Sequence, residues 1–127
     1  MNALDITESK ARYLINRMCR DFNVTPCKVF FVNINDPYTV GWYEPAHPNI
    51  PAYLMVEKKW SNRLILVLHE FTHHVQEELY DETGESIHGL SFQNAKSRVA
   101  IWASNNISKQ YDWKSLIQRY TIGKRRR

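Results

Sequence analysis

Cysteine is scarce in this chain of 127 residues, with Cys19 and Cys27 the only two. No four-cysteine metal site can form from them. Two thiols so placed fit a reducing compartment, where each acts as a small buried hydrophobe rather than half of a bridge. Long apolar runs are missing too. The longest, Leu64 to Leu68, falls far short of the roughly 20 residues that cross a bilayer. No N-terminal apolar stretch resembles a signal peptide, and there are no internal repeats or low-complexity linkers. The expectation is a soluble intracellular protein, cytoplasmic or, in a eukaryote, nuclear, without membrane contact.

A hydrophobic content of 43% with 13% aromatics marks a globular chain, and the length suits one domain with a real core. The net charge of +4 has a local origin. Lys124, Arg125, Arg126 and Arg127 carry four positive charges, leaving 13 basic residues against 13 acidic ones elsewhere. The division is therefore a neutral domain over residues 1–123 and a basic tail over 124–127. The tail is a solvated terminus, a contact for nucleic acid such as DNA, or a localisation signal.

Periodicity predicts the elements. Asp5 followed by Glu8 resembles a capping box, and Ala11, Leu14, Ile15, Met18 and Phe22 follow at helical spacing. Lys10, Arg12, Arg17 and Arg20 on the other side read as a solvated face. Residues 28–34 form a β-branched and aromatic run that predicts a buried strand, closed by Asp36-Pro37. Second and third strands fit residues 39–43 and 52–57, on either side of a turn bracketed by Pro45, Pro48 and Pro51. A helix from about His88 to Asn105-Asn106 carries Leu90, Ala95, Val99, Trp102 and Ala103. Asp112 then caps a last helix with Trp113, Leu116, Ile117 and Tyr120 on one side. Strands in the middle and helices on either side make the class α+β.

The most informative stretch is His69-Glu70-Phe71-Thr72-His73. At about 100° per residue, His69 and His73 lie one turn apart and about 40° apart around a helix axis, so both imidazoles can reach one cation. Glu70 projects from nearly the same side, where a carboxylate can take a proton from a metal-activated water. The flanking aliphatics and the stripe of Phe71, Val75 and Leu79 run the helix through the core, where polar histidines need partners. A catalytic zinc takes three protein ligands, so one more is required.

His88 is the preferred third ligand, on a second helix that Ser86 caps after a turn at Gly84. Glu77, Glu78, Asp81, Glu82 and Glu85 compete, since a carboxylate also serves in some zinc sites. This acidic group otherwise reads as a solvated helix end, and it argues against a cleft that grips phosphates. His74 points about 100° away from the ligand edge and is expected to be packed or hydrogen-bonded, or to steady an oxyanion. His47 reads as an exposed loop residue.

H-E-x-x-H followed by H-G-x-x-F, here His69, Glu70, His73, His88, Gly89 and Phe92, resembles the SprT-like family of zinc metalloproteases. Residues 40–45 and Asn49-Ile50 are similar to the strand and turn ahead of that family's active-site helix, so the resemblance covers roughly residues 28–105. It implies a compact zincin domain with an N-terminal helix, a small three-stranded sheet, an active-site helix and further C-terminal helices. It also implies Zn²⁺ on His69, His73 and His88, Glu70 as catalytic base, and protein substrates often associated with DNA. Gly41, Trp42 and Tyr43 would lie beside the cleft as substrate-binding residues, although strand aromatics also serve as core. The chain lacks the C-terminal zinc ribbon of several members. A rival class is a zinc-stabilised module that binds nucleic acid or protein without hydrolysis, and Glu70 counts against it because a structural site needs no base.

Overall fold

The computed structural model describes residues 3–80 and 86–121. Helix α1 (Glu8–Phe22) is followed by strands β1 (Cys27–Val32), β2 (Gly41–Glu44) and β3 (Ala52–Glu57). Helices α2 (Arg63–Leu79), α3 (Leu90–Asn106) and α4 (Trp113–Gln118) follow, and a 3₁₀ turn over Arg119–Thr121 closes the described chain. This is a mixed α+β arrangement with one small open sheet.

The sheet runs β1-β3-β2, with β1 parallel and β2 antiparallel to the central β3. Alternation sets its two faces. Ala52, Leu54 and Val56 of β3, Cys27 and Val29 of β1, and Gly41 and Tyr43 of β2 are buried, whereas their neighbours Tyr53, Met55, Lys28 and Trp42 are less so. The buried face meets α1 and α2, and α3 and α4 close over the far side of α2. Every residue of α2 from Leu64 to Gln76 is buried. At about 1.5–3 kcal/mol for each buried aliphatic or Phe side chain, Leu64 to Leu68 with Phe71 and Val75 make this helix the main apolar contributor.

The apolar face of α1 is as the spacing predicts, with Ala11, Leu14, Ile15 and Met18 buried and Phe22 partly so. The capping box is not. Thr7 is the N-cap, its hydroxyl accepting from the Lys10 N–H at 3.1 Å. Asp5 instead pairs with Arg63 in a fork of 2.7 and 3.0 Å, a charge-assisted contact that outcompetes a neutral backbone donor. Glu8 turns away to accept the Phe31 N–H at 2.9 Å. Strand β1 starts one residue earlier than predicted and stops at Val32, where the Ile34 N–H is taken by the Glu57 carboxylate. Strand β2 starts at Gly41 rather than Thr39, because Asp36 captures the Thr39 N–H and hydroxyl in a turn.

The helix expected to start near His88 starts at Leu90. Its N-cap is Gly89, and Ser86 supplies no cap; the Ser86 carbonyl instead accepts the Gly89 N–H at 2.9 Å, closing a turn over residues 86–89. The end at Asn106 and the Asp112 cap of α4 agree with the sequence. The proposed turn at Gly84 and the tail 124–127 lie outside the described residues. No helix among the described residues is long and apolar enough to cross a membrane. Cys19 and Cys27 are free and buried, and burial holds both thiols above their usual range, Cys19 at about 11.

The Asp5–Arg63 fork joins the segment before α1 to the first turn of α2, beside a backbone bond from the Leu64 N–H to the Leu4 carbonyl. The Arg63 guanidinium holds the Asp5 carboxyl below its usual value. A depressed carboxylate stabilises the fold above its unfolded pKa, and that contribution disappears as the pH falls through the folded value. Asp5→Ala is expected to lower stability by about 1 kcal/mol at neutral pH. The deficit should shrink in urea titrations as the pH is taken down through and below the ordinary carboxylate range.

Candidate metal centre

Helix α2 delivers His69 and His73 from adjacent turns, and the turn before α3 delivers His88. Their ligand nitrogens all lie within 4.8 Å of one another, close enough to bind a metal ion. The three ring centroids stand 4.9 to 5.3 Å apart in a near-equilateral triangle. Phe92, fully buried, packs against all three rings at 4.8 to 5.2 Å and forms an apolar wall beside them.

Hydrogen bonds fix which nitrogen of each α2 imidazole faces the centre. His69 Nδ1 lies 2.8 Å from the Ile117 carbonyl of α4, and a carbonyl only accepts, so Nδ1 carries the proton and the lone pair is on Nε2. His73 Nδ1 lies 3.0 Å from Gln76 Oε1, with the same consequence. Metal-binding histidines characteristically donate their second nitrogen in this way. His88 Nε2 stands 3.2 Å from His73 Nε2. Two nitrogens each about 2.1 Å from one tetrahedral ion are about 3.4 Å apart, so this pair already has the ligand edge. The other separations, none above 4.8 Å, need close by no more than about 1.4 Å to match it. The donor set and its outer partners therefore fit an imidazole-bound cation.

The His88 turn is held from behind, its carbonyl accepting from Gln93 Nε2 at 3.3 Å while the same nitrogen donates to Gln118 of α4 at 3.1 Å. Lys96 also donates to Gln118. Burial lowers the pKa of Lys96.

Glu70 is fully buried between α2 and β2. A Cβ on Gly41 would lie 2.7 Å from Glu70 Oε2, closer than real Cβ atoms come, and 3.1 Å from its Cγ, a tight contact. Glycine at 41 is thus the room the carboxylate occupies. The family resemblance implied a place for Gly41 beside the cleft, without this reason. Trp42 is half-buried, its indole N–H on Glu44 at 3.0 Å. Tyr43 is 2% exposed and its ring stacks over His73, so it packs beneath the ligands.

His74 is not part of the metal group. Its Nε2–H donates to the Thr25 carbonyl at 2.8 Å, and its Nδ1 accepts from the Tyr43 hydroxyl at 2.7 Å, a neutral imidazole pinning α2 to the sheet. Burial holds its pKa below the usual value. His47 is exposed and bonded to Glu44 at 2.9 Å. Among the rival carboxylates, Glu78 accepts the Thr25 N–H at 2.9 Å and Glu77 is exposed; Asp81, Glu82 and Glu85 lie outside the described residues. Sequence reasoning missed Gln76 and the Ile117 carbonyl. Gln76 was detectable, three positions after His73 and seven after His69 on one helix face; a backbone carbonyl 48 positions away was not.

No family model matches the chain, and no curated protein or solved structure matches it at a significant level.

Protons compete with a cation for imidazole nitrogen. The purified chain is expected to hold about one ion near neutral pH and release it reversibly in acid, as elemental analysis after dialysis at a series of pH values would read.

Proposed function

We propose that the chain is a zinc-dependent metalloendopeptidase of the SprT-like kind. The observation that carries this reading is the convergence of His69, His73 and His88 with a buried glutamate one residue after the first ligand. Three imidazoles leave one corner of a tetrahedron for water or substrate, the pattern of a hydrolytic rather than a structural zinc. When bound there, Zn²⁺ supplies Lewis acidity, making a water nucleophilic near neutral pH and polarising a carbonyl.

The protein's own residues supply the rest. Glu70 takes the proton from the attacking water, and Gly41 leaves it the space to sit against β2. The neutral tautomers of His69 and His73, fixed by Ile117 and Gln76, put the lone pair of each ring on Nε2, where it would hold the ion were it bound. Strand β2 is an edge of the sheet among the described residues, bonded to β3 on one side only, so an extended peptide can add to its other side. Trp42 is the half-buried aromatic on that strand. The substrate class is protein, and the resemblance to the SprT-like family favours proteins associated with DNA.

Glu70→Gln is expected to retain its metal and lose about 10²- to 10⁴-fold in cleavage of an unfolded or DNA-bound protein substrate. His88→Ala should lose both metal and cleavage. Gly41→Ala should keep the metal while cleavage falls on the order of 10²-fold, because the carboxylate is displaced. Cleavage by Glu70→Gln at the wild-type rate would overturn the mechanism.

A further inference from the structure

Gln76 touches both metal-bearing segments. It is 1% exposed and lies one turn beyond His73 on α2. Its Oε1 accepts from His73 Nδ1 at 3.0 Å, while its Nε2 donates to the Ile87 carbonyl at 3.1 Å and to the Ser91 hydroxyl at 2.9 Å. Both amide hydrogens are thereby used.

The orientation of this amide follows from chemistry. The Ile87 carbonyl only accepts, so the nitrogen must face it and the oxygen must face His73. An oxygen there requires the imidazole proton on Nδ1, which puts the lone pair on Nε2, the atom 3.2 Å from His88 Nε2. Ile87 immediately precedes His88. The group that decides the protonation pattern of the second ligand thus belongs to the turn that carries the third.

We propose that Gln76 is a positioning residue that couples seating of the His88 turn to the metal-competent tautomer of His73. With the turn displaced, the amide can rotate by half a turn and donate to Nδ1, which moves the ring proton to Nε2 and blocks ligation. Closing the turn reverses this, so the third ligand arrives together with readiness of the second. The inference rests on the metal centre proposed above and is independent of hydrolysis.

The test uses zinc ion and the full chain, with affinity read by chelator competition and the His73 tautomer by ¹⁵N shifts of its ring in the metal-free protein. Gln76→Met, neutral and nearly isosteric, is expected to weaken zinc binding by about 10- to 100-fold and to give a mixture of tautomers. In a His88→Ala background, where zinc is lost but Ile87 still orients the amide, the same change should give the same mixture of His73 tautomers in the metal-free protein. Gln76→Met affinity equal to wild type would overturn the proposal. So would a His73 proton found on Nε2 in the unaltered metal-free chain, a measurement that needs no variant to fold. A chain that binds zinc and shows the coupling yet cleaves nothing would defeat the peptidase reading alone.

Discussion

Burial of α2 on every side is the constraint around which the molecule is arranged. A helix inside a small fold has no water for its polar side chains, and each one left without a partner costs about 1–3 kcal/mol. Yet His69, Glu70, Thr72, His73, His74 and Gln76 all lie in its buried stretch. The partners come from several directions: the Ile117 carbonyl of α4 for His69, Tyr43 of β2 and the Thr25 carbonyl for His74, and the Leu68 carbonyl for Thr72. An all-aliphatic helix would pack here without those demands.

The same constraint gives the other elements their roles. Strand β2 lacks a side chain at the one position where Glu70 needs room. Helix α3 places Phe92 against the three rings, and excluding water from their flank strengthens the polar interactions inside. Trp60 bonds its indole N–H to the Tyr120 hydroxyl at 3.0 Å, holding the segment after α4 over the entry to α2. Apolar packing and polar positioning are here two aspects of one contact set.

What could be read from the sequence was what repeats locally. The stripe of α1, the span of β3, the aliphatic run of α2 and the Asp112 cap all lie within a few residues of their cause, and the structure agrees with them. The errors arose where distant groups competed for the same atoms. Asp5 had the spacing of a capping residue, but Arg63 lies 58 positions on and binds more strongly. Ser86 had the chemistry of a cap, but its carbonyl closes a turn that sets His88 ahead of the helix. The three histidines were legible because ligand chemistry marks residue types; their orientation was not, because it depends on carbonyls, which every residue has.

The span between His69 and Ile117 carries a consequence for biosynthesis. At roughly 5–20 residues per second, the helix bearing the ligands leaves the peptidyl-transferase centre some 2 to 10 seconds before the carbonyl that aims its first imidazole. A nascent chain halted between His88 and Ile117 has the three histidines without the carbonyl that orients His69. The orientation of His69 is thereby completed only after α4 has been made, and a chain truncated before it lacks that hydrogen bond.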